Sequence, residues 1–202
     1  MQIMQNNVRF KIAIIKYKEK GCKVNAKWYN LFLKAVTKNW KKWGALVSKK
    51  NVQVSDYLRD KLIFLHTNFK NSHELFKGVN EVSKQNGYVT EDFLPKIIKR
   101  ESTFPTGLQL EKCGVAIPHT DADTIRKEFV SVIVNESPIR FKRMDDPTQE
   151  VDAKLVFVLG LNRPHAQLEM LQALMSIIQD ASLVDKLEHA NTNADIYDLL
   201  GN

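Results

Sequence analysis

The chain is poor in the residues that support several common explanations of a protein. It has only two cysteines, Cys22 and Cys113, ninety-one positions apart. They cannot build the disulfide framework of a small secreted domain or a thiolate zinc site, so a reducing, cytosolic setting is expected. Long apolar runs are missing too. Leu155–Leu161 is among the longest at seven residues, against the roughly 20 needed to cross a bilayer. Met1–Ile15 carries polar residues where a signal peptide needs an unbroken apolar centre, so a soluble, unprocessed protein is expected. There is no glycine-rich phosphate loop, no zincin pair and no serine-elbow motif.

What is present is ordinary globular material. Of 202 residues 44% are hydrophobic and 26% charged, which excludes collagen-like, mucin-like and wholly disordered chains. The length suits one domain of about 150 residues plus an extra piece. The formal charge of +7 is unevenly spread. Residues 1–53 hold thirteen basic side chains and one acid, net +12, leaving seventeen basic and twenty-two acidic residues in 54–202, net −5. The boundary between two segments is therefore placed at 53/54, with Ser48–Asn51 as linker.

In the basic segment, Val8, Phe10, Ile12 and Ile14 alternate with other residues as a half-buried strand does. Trp28, Phe32, Val36, Trp40, Trp43 and Val47 recur every three or four residues, so Trp28–Val47 reads as one basic amphipathic helix carrying all three tryptophans. Three roles fit this stripe: packing against the chain or a second copy of it, an anionic membrane or nucleic-acid partner, or an extension without a defined role.

From residue 54 the pattern alternates strand and helix. Strands are expected at Leu62–Leu65, Val115–Ile117, Phe129–Val134 and the almost wholly apolar Leu155–Leu161. Asn71 with Glu74 opens a helix to about Gln85, stopped by Asn86-Gly87. Thr90 opens a second with Phe93, Leu94, Ile97 and Ile98 inward. Asn162 caps a third to about Gln179 with Leu168, Leu171, Leu174 or Met175, and Ile178 inward. Ser182/Asp185 and Thr192/Asp195 start two short ones. The fold class is α/β (α+β): a central mixed sheet flanked by helices, preceded by a basic helical extension.

Five histidines remain as the most informative polar residues. His66 at a strand end, His73 in a first helical turn and His189 in a terminal helix have structural or solvent roles. His119 follows Val115-Ala116-Ile117-Pro118 at the mouth of a buried strand, where α/β folds place reactive groups. Here the sequence resembles a known family. The runs Ile98–Leu108, containing Arg100-Glu101 and Phe104-Pro105-Thr106-Gly107-Leu108, and Gly114–Thr120, containing Ala116-Ile117-Pro118-His119, are similar to the enzyme IIA domain of the phosphoenolpyruvate-dependent sugar phosphotransferase system, fructose/mannitol (type 2) superfamily, nearest its galactitol-type branch. Gly87–Glu91 and Pro164–Gln172 fit the same template, and the resemblance covers about residues 55–200.

The resemblance implies a type-2 enzyme IIA sandwich and a phosphocarrier that is phosphorylated on His119 by HPr. It would pass the phosphoryl group to a cysteine of a separate IIB protein serving a separate IIC permease, for uptake of a sugar or alditol such as galactitol. Residue chemistry agrees, because a neutral imidazole is a competent nucleophile near pH 7. Phosphoryl transfer mainly asks for positioning and charge compensation, so neither metal nor cofactor is called for. Arg100 matches the family's arginine and offers a planar donor fork, or else it is an exposed helix-end residue. Glu101 orients Arg100 or is solvated, the second being favoured. His165 is carried over as a second active-site histidine, offset by two residues from its usual position, where Gln167 stands as the alternative partner. Thr120, Asp121 or a backbone carbonyl would accept the second ring N–H of His119. Cys113 reads as a small core residue. The alternative function is a phosphorylation-responsive regulatory IIA module, and a third is a DNA- or membrane-binding protein with a IIA-like scaffold. No nucleic-acid partner is expected for 54–202.

Overall fold

The computed structural model describes residues 52–111 and 113–201, without the side chains of residues 164 and 165. The strand, helix and linker expected over 1–53 lie outside the described residues, Val52 and Gln53 apart.

Five strands form one mixed sheet: β1 (Leu58–Thr67), β2 (Gly107–Gln109), β3 (Gly114–Ala116), β4 (Phe129–Lys142) and β5 (Glu150–Gly160) in the order β1-β4-β5-β3-β2. β1 runs parallel to β4 and β3 parallel to β5, while β4–β5 and β2–β3 are antiparallel. The order agrees with the expected mixed sheet, and three strands are longer than the apolar cores expected for them. β4 continues beyond Val134 through polar residues because Asn135 is buried with its amide satisfied. Its Oδ1 accepts from Thr67 Oγ1 at 3.0 Å and Phe69 N at 2.9 Å, and its Nδ2 donates to the carbonyls of Phe69 and Ser137 at 2.9 and 2.7 Å. A register shift between Val134 and Ile139 then lets Ile139 and Phe141 rejoin the core.

Helices cover both faces. α1 (Ser72–Gln85) and α2 (Phe93–Thr103) bury Leu75, Phe76, Val79, Phe93 and Ile97 against Phe129, Ile133, Ile139 and Val156. α3 (Pro164–Ile178), α4 (Ala181–Glu188) and α5 (Asn193–Leu200) bury Met170, Leu174, Ile178, Val184 and Ile196 against Val130, Val132, Leu155 and Phe157. β5 touches both clusters, as its almost wholly apolar sequence predicts. Gly160 is required at its end, since a Cβ there would collide with the Phe129 ring. No helix among the described residues is long and apolar enough to cross a membrane.

Asn71 caps α1 as expected, its Oδ1 accepting from Glu74 N at 2.9 Å, and Gly87 ends the segment at φ +69°. Thr192/Asp195 forms the expected capping box of α5. Three other starts differ. Thr90 is not the cap of α2: its carbonyl accepts from Phe93 N at 3.3 Å across a turn, and Asp92 occupies the cap without a side-chain bond. α4 is capped by Asp180 rather than Ser182, the carboxylate accepting from Ser182 N and Leu183 N at 2.9 and 3.1 Å. α3 starts after Arg163, not Asn162, because Pro164 fits the first helical turn. Its inward line is then Ala166, Met170, Leu174 and Ile178, so Leu174 rather than Met175 is the inward one of that pair, Ile178 is inward as expected, and Leu168 is exposed rather than inward.

Candidate active site

Ile117 and Pro118 extend β3 toward the C-terminal end of β5. His119 makes a bridge with Leu159, and Leu159 N donates to the Pro118 carbonyl at 2.9 Å. The Nδ1–H of His119 donates to the Ile117 carbonyl at 3.0 Å. A carbonyl can only accept, so this bond places the ring hydrogen on Nδ1 and the lone pair on Nε2. Burial pushes the His119 pKa below its ordinary 6.5, opposed by the Ile117 carbonyl and Asp121 and reinforced by the Arg100 cation. The imidazole is therefore neutral at pH 7. The acceptor for the second ring nitrogen is thus the backbone alternative, and neither Thr120 nor Asp121 fills that role. The Asp121 carbonyl instead accepts from Thr124 Oγ1 at 2.9 Å.

Arg100 stands in the last turn of α2, its carbonyl accepting from Phe104 N at 2.8 Å and its guanidinium carbon 4.8 Å from the Phe104 ring centroid. Its Nε is buried without a hydrogen-bond partner among the described residues. Thr120 Oγ1 is likewise buried and unpartnered, although Thr120 is only 3% exposed. Arg100 acts on the histidine through its charge and Thr120 adjoins it in sequence, and each carries a buried polar atom without a partner among the described residues. In the first turn of α3, Gln167 Nε2 donates to the Thr120 carbonyl at 3.5 Å. His165 belongs to the same turn, but its side chain lies outside the described residues.

Glu101 corrects the expectation of a solvated carboxylate. Its Oε1 accepts from Thr106 N at 2.9 Å and its Oε2 from Thr106 Oγ1 at 2.8 Å. Burial pushes its pKa up, opposed by the two Thr106 bonds and by Arg100. The sequence offered little to show this, because a Glu five residues before a Thr is not a recognisable pattern.

A second arrangement has no local signature in the sequence. Glu128, just before β4, accepts from Asn162 N at 3.3 Å and from Arg163 Nε at 3.1 Å on both oxygens, and Arg163 Nη2 also bonds Glu128 and Tyr57 Oη. This clamp holds the entry to α3 in place of a side-chain cap.

The other expected residues lie elsewhere. His66, at φ +53°, sits between Glu136 Oε1 at 3.0 Å and Asn191 Oδ1 at 3.1 Å, at the end of the sheet opposite His119. His73 is in the first turn of α1 and His189 at the end of α4. Cys113 is half-buried against the core, and burial with the Glu188 and Asp185 charges pushes its thiol pKa up, the reverse of what a nucleophilic thiolate needs.

The mixed sheet, its two helical layers and the histidine arm at the end of β3 define the class: a type-2 enzyme IIA fold. Residues 56–202 match the family described as Phosphoenolpyruvate-dependent sugar phosphotransferase system, EIIA 2, and the chain belongs to it. It is a phosphotransferase component of that system. The chain is similar to the PTS system galactitol-specific EIIA component of Escherichia coli (strain K12), 28% identical over 119 residues, 59% of this chain and 79% of that protein. In fold it is similar to Nitrogen Regulatory Protein IIA-Ntr from Neisseria meningitidis, with a TM-score of 0.62 at 21% identity over 73% of this chain and 98% of that one. It is also similar to a chain in the complex of enzyme IIAMTL and phosphorylated enzyme IIBMTL from Escherichia coli, with a TM-score of 0.58 at 24% identity over 71% of this chain and 96% of that one.

Proposed function

We propose that the protein is a cytoplasmic phosphocarrier that accepts a phosphoryl group from HPr on His119 Nε2 and delivers it to a IIB cysteine, for uptake of galactitol or a related alditol through a separate IIC permease. The observation that carries this reading is the His119 ring, held neutral by burial with its hydrogen committed to the Ile117 carbonyl. The Nε2 lone pair attacks phosphorus, and the bond from phosphorus to the donor breaks with its electron pair leaving on the donor. The hydrogen stays on Nδ1, donated to the Ile117 carbonyl, so no base is needed. Delivery reverses the geometry: a thiolate attacks phosphorus and the N–P electron pair returns to Nε2.

Arg100 supplies charge compensation for the transferring group. Its unpartnered Nε supports this role, since a buried donor without an acceptor costs about 1–3 kcal/mol that an incoming oxyanion recovers. Thr120 and Gln167 line the same arm, and His165 is the further candidate at the start of α3. The galactitol-specific relative supports the substrate class, and the mannitol IIA–IIB complex supports a IIB partner.

Incubation with phosphoenolpyruvate, enzyme I and HPr should give a base-stable, acid-labile phosphoprotein that is lost in His119→Ala. Stoichiometric labelling of that variant would overturn the assignment. Onward transfer to a galactitol-type IIB separates a carrier from a regulatory IIA module, which would hold the phosphoryl group.

A further inference from the structure

Arg100-Glu101 and His119 stand on different arms of the chain, and one run of hydrogen bonds joins them. Glu101 accepts from Thr106 N and Oγ1 at 2.9 and 2.8 Å. The Thr106 carbonyl accepts from Ile117 N at 3.3 Å, and the Ile117 carbonyl accepts the Nδ1–H of His119 at 3.0 Å. Thr106 is 1% exposed, so water does not compete for these groups.

The peptide that carries the Ile117 carbonyl has Pro118 as its nitrogen and so has no N–H with which to anchor itself. Its plane is set from its two flanks. On one side Ile117 N is bound to the Thr106 carbonyl, and on the other the Pro118 carbonyl is bound to Leu159 N at 2.9 Å. The second flank is part of the sheet. The first depends on the Phe104–Thr106 loop, which Glu101 holds through both of its carboxylate oxygens. Removing a carboxylate from water costs free energy unless its lone pairs are engaged, and here both oxygens are engaged by the same residue.

We infer that Glu101 is a positioning residue for the phosphoryl transfer proposed above: through Thr106 and the Ile117 carbonyl it fixes which ring nitrogen of His119 carries the hydrogen and therefore which one attacks. The inference rests on that reading for its consequence in rate, but the ring state can be measured without any transfer. Charge is not the quantity that matters. A glutamine in place of Glu101 can accept from Thr106 N with its carbonyl and donate from its amide to Thr106 Oγ1, which keeps both bonds.

The test uses the full chain labelled with ¹⁵N-histidine. The hydrogen position on the His119 ring is read by ¹⁵N–¹H correlation, and the initial rate of phosphate uptake from phosphorylated HPr is read in parallel. In the unaltered protein the hydrogen should reside on Nδ1. In Glu101→Ala it should divide between the two nitrogens, with uptake slowed about tenfold or more. Glu101→Gln should restore the Nδ1 hydrogen and most of the lost rate. A ring unchanged in Glu101→Ala overturns the inference, and so does a Glu101→Gln variant as impaired as Glu101→Ala, which would assign the effect to charge on Arg100. If Glu101→Ala does not fold, Thr106→Val removes only the hydroxyl bond and should shift the ring hydrogen in the same direction; no shift overturns the inference. An unaltered protein that takes no phosphate while its ring hydrogen responds to these substitutions would defeat the proposed function and leave the positioning role standing.

Discussion

At the scale of single residues, the proposed phosphoryl transfer depends on keeping one imidazole neutral in a protein whose other charges press on it from both sides. Burial lowers the His119 pKa and the Arg100 cation lowers it further, while Asp121 and the Ile117 carbonyl work the other way. The sign has two consequences. Below about pH 6.5 an unfolded chain binds a proton at this position that the folded chain resists, so this contribution to stability is present above 6.5 and is lost as pH falls toward the folded pKa. Removing the Arg100 cation should let the His119 pKa rise, so Arg100→Met should titrate at higher pH by NMR than the unaltered protein. The same variant should take up phosphate more slowly even at pH 8, where both rings are neutral. A His119 titration unmoved by the substitution would show that Arg100 does not act on the ring. His119 itself was legible in the sequence, because a strand ending in Ile-Pro-His is a local pattern. Glu101 was not, because its burial depends on where α2 ends relative to the Thr106 loop.

At the scale of elements, the proposed site lies where several segments end: α2 would supply Arg100 and Glu101, β3 leads to His119, and the first turn of α3 brings Gln167 to the Thr120 carbonyl. The first turn of α3 has no side-chain cap, and the Glu128–Arg163 clamp takes its place. Burial raises the Glu128 pKa but the bonds from Arg163 and Asn162 outweigh it, so the carboxyl titrates below its ordinary 4.5. A depressed carboxyl contributes stability that is present above its unfolded pKa and lost as pH falls through the folded one. Arg163 is 64% exposed, so solvent screens the pair and its contribution is small. Glu128→Gln should lower the unfolding free energy slightly at pH 7 in urea melts, and the difference should shrink below pH 4.5. A difference that persists at pH 3 would mean that packing rather than charge is lost. Glu128 and Arg163 are thirty-five positions apart and became neighbours only once β4, β5 and α3 were placed, so local spacing could not reveal them.

At the scale of the whole molecule, two oppositely charged segments share one chain, net +12 in residues 1–53 and −5 in 54–202. The family match begins at residue 56, and the core of the described residues begins at Val54. Deleting residues 1–53 should therefore leave His119 phosphorylation by HPr within about twofold and urea unfolding cooperative, as expected of a domain that holds its own core. A truncated chain that fails to fold would make the segment part of that core. By itself, the sequence determined the alternation of strands and helices, the two-sided burial of Leu155–Leu159, the caps at Asn71 and Thr192, and the position of His119 at a strand exit. Each of these depends on periodicity or on residues within a few positions of one another. Only the tertiary structure decided that Leu168 faces outward and Leu174 rather than Met175 inward, that the Ile117 carbonyl rather than Thr120 or Asp121 holds the His119 ring, and that Glu101 is half-buried and bound to Thr106. Those outcomes depend on which surfaces meet and where each chain end is pinned, and that is set by contacts between distant parts of the chain.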